Sequence, residues 1–118
     1  MNLMIVDDSA RVREMIKTTL IGGLKNIGNI CECASGNEAI ERYKEIQPDW
    51  VLMDIQMEPV DGLVATRIIL SSYPEAKIVI VSGFGDAKYR EAAQAAGVYA
   101  YVLKENLREL PGIMTKGD

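Results

Sequence analysis

The stretch Trp50–Asp54, which reads Trp-Val-Leu-Met-Asp, decides the fold because an acid directly follows a short and wholly apolar run. Four more predicted strands cover residues 3–6, about 29–34, 77–81 and 98–103, and amphipathic stretches separate them. Continuous apolar runs are typical of parallel strands buried on both faces, since an exposed sheet face would show alternation. Five strands alternating with five helices predict an α/β fold, a doubly wound parallel sheet with right-handed crossovers and strand order 2-1-3-4-5.

Helices are predicted between these strands. In the first, apolar residues recur at helical spacing from Ser9 to about Leu20, and we expect Gly22-Gly23 to end it. The last helix is predicted to begin near Glu105, and Pro111-Gly112 to end or kink it. The other three begin at capping signals and stop at recognisable breaks, with predicted ranges of 35–46, 61–73 and 86–97.

The composition excludes several classes of function. The chain has 118 residues, a formal net charge of -4 and no His. We expect one domain over residues 1–118 and no second domain. Without His, the chain cannot form a His-based zinc site or a Ser-His-Asp or Cys-His catalytic centre. An acidic chain with no basic run is also a poor candidate for contacting nucleic acid or an anionic membrane by itself.

The cysteines and the start of the chain indicate a cytoplasmic protein. Cys31 and Cys33 are interpreted as small buried hydrophobic residues in a reducing compartment. The first apolar run meets Asp7-Asp8 too early for a signal peptide, and no run approaches membrane-spanning length.

Polar residues stand at the carboxyl ends of four predicted strands. Asp7-Asp8 follow the first strand, Asp54 the third, Ser82-Gly83 the fourth and Lys104 the fifth. In open parallel sheets, ligands bind at this edge beside the topological switch point, where the first and third strands are neighbours. Three carboxylates are therefore expected to converge on one crevice.

Such a cluster predicts metal binding and phosphoryl chemistry. At ~4 Å and an effective dielectric of about 20, two carboxylates repel by about 4 kcal/mol, and a divalent cation removes this penalty. Mg²⁺ prefers hard oxygen ligands and leaves one carboxylate free to attack phosphorus. Lys104 would supply positive charge, and Ser82 a hydroxyl donor, for the phosphoryl oxygens.

Taken singly, these residues also have plainer structural interpretations. A helix cap would account for Asp7 or Asp8. A turn would account for Ser82, and ordinary surface solvation for Lys104. Asp54 is harder to explain in this way, and the occurrence of all the signals at strand ends favours the functional interpretation.

Four stretches of the chain carry a family resemblance: Ile5–Ser9, Val51–Met57 with Asp61-Gly62, Ile80–Gly83 and Ala96–Lys104. In combination they resemble the receiver domain of bacterial two-component response regulators, and the likeness covers nearly the whole chain. The resemblance implies the flavodoxin-like receiver fold and a phosphorylation-dependent signalling switch. Such a domain is a phosphoacceptor that assists its own phosphorylation, not a conventional enzyme.

The resemblance also implies a role for each matching residue. Asp54 would be the phosphoacceptor, charged from the phosphohistidine of a sensor histidine kinase or phosphotransfer protein. The ligands of Mg²⁺ would be Asp7, Asp8, Asp54 and the backbone carbonyl of Gln56. Lys104 would pair with the phosphoryl group.

A second set of implied roles concerns the switch. Ser82, followed by Gly83, would move toward the phosphoryl group, and Tyr101 would turn into the vacated space. The face made by the fourth helix, fifth strand and fifth helix would change and control an output partner or effector domain. Dimerisation through the fourth and fifth helices is a further expectation by family likeness.

Three features depart from the family pattern. Glu58 follows Met57 where the family usually has Pro. Glu105 follows Lys104, as in receivers attached to helix-turn-helix transcription factors. Pro111-Gly112 is expected to shorten the last helix.

Three other functions stay open at this point. A phosphatase of the haloacid dehalogenase type would need a second acid two residues after Asp54, where Gln56 stands. A flavodoxin-like mononucleotide binder would offer backbone donors to a phosphate, which Asp7-Asp8 would repel. A receiver-like interaction module that is never phosphorylated would be expected to lack Asp8, Asp54 or Lys104, and this chain has all three.

Overall fold

A computed structural model describes residues 1–116, which form a five-stranded parallel sheet of order β2-β1-β3-β4-β5 with helices on both faces. The strands are β1 (Leu3–Val6), β2 (Ile30–Cys33), β3 (Trp50–Met53), β4 (Ile78–Ser82) and β5 (Ala100–Leu103). The α-helices are α1 (Ala10–Gly23), α2 (Gly36–Ile46), α3 (Gly62–Ser72), α4 (Ala87–Ala96) and α5 (Leu110–Lys116), and a 3₁₀ helix (Lys104–Glu109) joins β5 to α5. The predicted fold and strand order are confirmed.

Alternate side chains of the central strands serve two separate cores. Met4 and Met53 face one core, which α2, α3 and α4 cover. Leu3 and Leu52 face the other, which α1, the 3₁₀ helix and α5 cover. All residues of β1, β3 and β4 are buried, so these strands show continuous apolar runs rather than alternation. This double covering leaves the carboxyl edge of the sheet as the place where strand-end polar groups meet solvent.

Helix α1 ends at Gly23, as predicted for the pair Gly22-Gly23. Both glycines lie in its last turn, and the N–H of Leu24, at the cap position, donates to the Leu20 carbonyl at 2.8 Å. A Cβ on Gly23 would lie 2.5 Å from Cγ of Pro111, so this glycine allows α1 and α5 to approach closely. Gly23 therefore lies at the end of α1 and also at its contact with α5.

The prediction that Pro111-Gly112 ends or kinks the last helix was wrong. The segment after β5 is a 3₁₀ helix with a break at Asn106 (φ -120, ψ 35), and the α-helix begins only at Leu110. Pro111 therefore lies in the first turn of α5, where its missing N–H would have had no partner within the helix. The proline starts the helix that it was expected to end.

The remaining elements follow the predicted order, although β2 and β5 are shorter than predicted. Ser35 caps α2 by accepting from the Glu38 N–H at 3.2 Å, and α4 ends at Gly97 with φ 97. Asp86 occupies the cap position of α4, but its side chain accepts no capping hydrogen bond. The two cysteines, in β2, are free thiols. Within residues 1–116, no helix is long and apolar enough to cross a membrane.

Candidate functional site

The sheet brings three carboxylates together at its carboxyl edge. Carboxylate oxygens of Asp7, Asp8 and Asp54 all lie within 4.8 Å of one another. Asp7 is 1% exposed and Asp54 4% exposed, whereas Asp8 is open to solvent. The cluster is therefore buried on one side and accessible on the other, which suits a site that exchanges ligands with water.

Parallel pairing of β1 with both neighbours sets this geometry. Val6 pairs with Met53, and the Asp54 N–H donates to the Val6 carbonyl at 2.9 Å. On the other side, the Asp7 N–H donates to the Cys33 carbonyl at 3.1 Å. Because both acids directly follow paired strand residues, their backbones belong to the rigid edge of the sheet.

A glycine keeps the segment after β3 close to the site. The Gly62 N–H donates to the Ile55 carbonyl at 2.8 Å, which closes the loop between β3 and α3. A Cβ on Gly62 would lie 1.7 Å from the Asp54 carbonyl oxygen, so only glycine fits there without a backbone shift. Within this loop Gln56 is exposed, and the peptide bond between Glu58 and Pro59 is cis.

Lys104 supplies positive charge from the end of β5. Its Nζ lies 3.0 Å from Oδ2 of Asp7 and 3.4 Å from Oδ1 of Asp54. Burial acts to lower the pKa of Lys104, but the hydrogen bond to Asp7 and the charge of Asp54 outweigh it and leave that pKa raised. The lysine side chain is only 29% exposed, so the plainer interpretation as a solvated lysine does not hold.

Burial also shifts the titration of Asp54. It raises the pKa of this carboxyl to about 6, and the charge of Asp7 adds to the rise, while Lys104 acts in the opposite direction. One ammonium thus does not neutralise three neighbouring carboxylates. Apart from that ammonium, Oδ2 of Asp7 has no donor among residues 1–116. The hard oxygen donors and the uncompensated negative charge fit a divalent cation, so this acidic pocket is capable of binding a metal ion.

Ser82 and Tyr101 meet at the loop between β4 and α4. Ser82 is fully buried, and its Oγ accepts from the Phe84 N–H at 3.0 Å, as in a serine turn. The Tyr101 hydroxyl donates to the Phe84 carbonyl at 2.5 Å. Arg90 lies over the Tyr101 ring at 4.8 Å and donates from Nε to the Gly85 carbonyl at 3.1 Å. Side chains of α4 and β5 therefore hold the loop that follows Ser82.

The structure brings Asp7, Asp8, Asp54 and Lys104 together, and it also bears on the plainer local interpretations. The cap of α1 is Ser9, which accepts from the Val12 N–H, so neither Asp7 nor Asp8 has that role. Ser82 does act as a turn residue, although it also ends β4, the neighbour of β3 in the sheet.

Sequence reasoning missed the arginines that contact the backbone of the site. Arg13 donates from Nη1 to the Asp7 carbonyl at 2.6 Å, and Arg90 contacts the loop after β4. In the sequence both read as ordinary polar positions of amphipathic helices. No local pattern marks an arginine whose partner is a carbonyl at the end of a strand.

The fold and the site together define a class, that of doubly wound parallel-sheet domains with an acidic pocket and a lysine at the carboxyl edge. Comparison with known proteins identifies the family. The family model described as the response regulator receiver domain matches residues 3–114. The chain belongs to this family.

Individual relatives agree with that assignment. The chain is 35% identical over 102 residues to the chemotaxis protein CheY of Thermotoga maritima, covering 86% of this chain and 83% of that protein. It is 38% identical over 102 residues to the response regulator protein VraR of Staphylococcus aureus, covering 86% of this chain and 48% of that protein. It therefore spans about half the length of VraR.

A solved structure gives the same result. A LuxR-family two-component response regulator from Aurantimonas sp. SI85-9A1 superposes with a TM-score of 0.89 at 31% identity, covering 98% of this chain and 82% of that chain. The family assignment supports a phosphorylation-dependent signalling role in two-component systems. It does not favour the module that is never phosphorylated, nor the phosphatase or mononucleotide-binding alternatives.

Proposed function

We propose that Asp54 accepts a phosphoryl group from the phosphohistidine of a sensor histidine kinase or phosphotransfer protein. The observation that carries this proposal is the cluster itself, in which Asp54 lies against two further acids and within 3.4 Å of the Lys104 ammonium. We assign Mg²⁺ to the same pocket, held by Asp7, Asp8, Asp54 and the backbone carbonyl of Gln56. A cleft lined in part by Asp8 and Gln56 supports this ligand set.

Each residue has a distinct task in the transfer. An oxygen of the Asp54 carboxylate forms the new bond to phosphorus, while the bond between phosphorus and the histidine nitrogen breaks and its electron pair stays on the imidazole. Bound Mg²⁺ supplies positive charge for the phosphoryl oxygens. Lys104, whose Nζ lies 3.4 Å from Oδ1 of Asp54, contributes a second positive charge. The domain thus assists its own phosphorylation and has no separate substrate to turn over.

The switch proposal involves Ser82, Gly83 and Tyr101. A phosphoryl group on Asp54 would attract the Ser82 hydroxyl, which now accepts from Phe84. Gly83 is exposed and a Cβ there would meet nothing within 4 Å, so the backbone beside Ser82 has room to move. The Tyr101 hydroxyl is bonded to the same loop, which would pass the change to the face formed by α4, β5 and α5. Driving such an equilibrium from 1:99 to 99:1 requires about 5.5 kcal/mol of preference.

We propose that this face acts on an output partner or effector domain, and that it supports a phosphorylation-dependent homodimer. We assign residues 1–118 to one receiver domain; residues 117 and 118 lie outside the described range. A cytoplasmic location, and the absence of direct nucleic-acid or membrane contact, remain predictions.

For the kinase, we propose docking on α1. Arg11 and Met15 are exposed and line a groove that also includes Leu107 of the 3₁₀ helix, directly beside Lys104. Val12, which lies next to Arg11 in α1, is half-buried and packs into the core instead. A variant with Arg11→Glu and Met15→Ala should accept phosphoryl from acetyl phosphate at the normal rate but lose transfer from a phosphorylated sensor kinase. Unchanged transfer from the true kinase would exclude this docking surface.

The phosphoacceptor is tested by intact-protein mass after incubation with acetyl phosphate, in Mg²⁺ and in chelator. The wild type should gain one phosphoryl group in Mg²⁺ only, and Asp54→Asn should gain none. Asp61→Asn is the matched control, because this acid lines the same cleft but caps α3. It should be phosphorylated like the wild type. A folded wild type that gains no phosphoryl group and binds no Mg²⁺ would overturn the proposal.

A further inference from the structure

We propose that Arg13 is a positioning residue that holds the peptide between Asp7 and Asp8 and thereby sets the affinity of the acidic pocket for Mg²⁺. The inference rests on the proposed function, since it assigns Mg²⁺ to that pocket. It concerns a side chain of α1 that lies outside the predicted ligand set and contacts the site only through the backbone.

The contact is charge-assisted and largely sheltered from water. Nη1 of Arg13 donates to the Asp7 carbonyl at 2.6 Å, and Nε of the same guanidinium donates to Oε1 of Glu32 at 3.1 Å. The Arg13 side chain is only 16% exposed. The planar guanidinium makes both contacts at once, so its position is better defined than that of a lysine ammonium would be.

The carbonyl that Arg13 contacts lies where the β-ladder ends. The Asp7 N–H still pairs with Cys33 of β2, but β2 stops at that residue and provides no further ladder donor. The guanidinium takes the place of the missing strand neighbour. Since a peptide group is planar and rigid, holding the Asp7 oxygen also fixes the N–H of Asp8 and the direction in which that exposed acid leaves the sheet.

The other end of this short loop is fixed by local hydrogen bonds. The Ser9 N–H donates to Oδ1 of Asp7 at 2.9 Å, and the Ser9 hydroxyl caps α1. Asp8 therefore lies between two anchored residues, and Arg13 provides the anchor on the strand side. Metal ligands that lack such support lose affinity, and removal of an outer partner typically weakens binding 10- to 100-fold.

The direction in which Mg²⁺ affinity changes when Arg13 is removed distinguishes a positioning role from a purely electrostatic one. Arg13 is a cation close to the pocket, so its charge alone opposes the binding of Mg²⁺, and removing that charge would tighten binding. If Arg13 acts by positioning the peptide, its removal weakens binding instead. Lys17 offers a matched control because it also pairs with Glu32, at 3.0 Å, yet makes no contact with the Asp7 carbonyl.

The test is isothermal titration of Mg²⁺ into the full chain at pH 7.5 for wild type, Arg13→Met and Lys17→Met, with folding checked by urea unfolding in chelator. Arg13→Met should bind Mg²⁺ about 10-fold more weakly than wild type. Lys17→Met should bind as wild type does or slightly more tightly. An affinity of Arg13→Met equal to or above that of wild type would overturn the inference.

Two further arms keep the outcome decisive. Arg13→Lys preserves the charge but not the double contact, so it should weaken Mg²⁺ binding several-fold; an unchanged affinity would refute the positioning role even if Arg13→Met fails to fold. At saturating Mg²⁺, phosphorylation of Arg13→Met by acetyl phosphate should return to within about twofold of wild type, because the deficit lies in metal affinity. A wild type that binds no Mg²⁺ would instead reject the proposed function, which separates the two failures.

Discussion

The buried carboxylate of Asp54 should make the metal-free protein less stable at neutral pH than a neutral side chain would. Asp54 is 4% exposed, and burial followed by the charge of Asp7 raises its pKa from the ordinary 3.8 to about 6. Between about pH 4 and pH 6 the folded chain therefore retains a proton that the unfolded chain has released. Stability falls as pH rises through this window, so the penalty is absent below it and complete above it.

The magnitude follows from the two pKa values. At 1.36 kcal/mol per pKa unit, a pKa of about 6 against 3.8 corresponds to about 3 kcal/mol of destabilisation by the ionised form. Asp54→Asn replaces that form with a neutral isostere. We expect the variant to be more stable than wild type by about 3 kcal/mol at pH 8 and by about half as much at pH 5.

Urea unfolding in chelator, followed by fluorescence of the single tryptophan, Trp50, measures the free energy of unfolding at both pH values. Asp61→Asn is the control, since Asn caps a helix about as well as Asp, and it should stay within about 0.5 kcal/mol of wild type at both. Mg²⁺ at 100 times its dissociation constant should stabilise the wild type by about 2.7 kcal/mol and so reduce the difference in free energy of unfolding between wild type and Asp54→Asn. An Asp54→Asn variant no more stable than wild type at pH 8, or a gain independent of pH, would refute the reasoning.

Three further predictions concern packing and charge near the site. Gly62→Ala should lower the free energy of unfolding in urea by more than about 3 kcal/mol and abolish phosphorylation, because the new Cβ would overlap the Asp54 carbonyl. Gly83→Ala is the control: the space around Gly83 is open, so its free energy of unfolding should stay within about 0.5 kcal/mol of wild type. Thr66→Val should stabilise the chain by about 1 kcal/mol in urea unfolding, since the hydroxyl of Thr66 is fully buried and has no hydrogen-bond partner among residues 1–116; a loss of stability would show that the hydroxyl is bonded. Lys104→Met should lower the free energy of unfolding in chelator at pH 7 by about 2 kcal/mol, because it leaves buried carboxylates unpaired. Its affinity for Mg²⁺, measured by calorimetry, should rise because a competing positive charge is gone; a weaker affinity would contradict this account.

The positions of these strand ends could be predicted because they depend on local signals in the sequence. An acid after Trp50–Met53, or a serine after Ile78–Val81, marks the point where a buried strand meets solvent. Parallel topology then places such ends on one edge, so the convergence of Asp7, Asp8 and Asp54 could be predicted before the fold was known.

The error arose where a residue contacts a distant part of the chain. Pro111 was interpreted as a helix breaker, yet it lies in the first turn of α5 and packs against Gly23 of α1. Both residue types have a local meaning and a packing meaning, and the sequence alone does not distinguish between them.

The sequence by itself determined the class of fold, the strand order and the types of side chain at the carboxyl edge, because hydrophobic periodicity and caps are properties of neighbouring residues. Only the tertiary structure decided how those side chains act on one another. The raised pKa of Asp54, the pairing of Lys104 with two acids, and the hydrogen bond from Arg13 to the Asp7 carbonyl depend on distances set by strand register and helix packing. Electrostatic and hydrogen-bond energies vary steeply with distance and burial, and the order of residues along the chain does not specify these quantities.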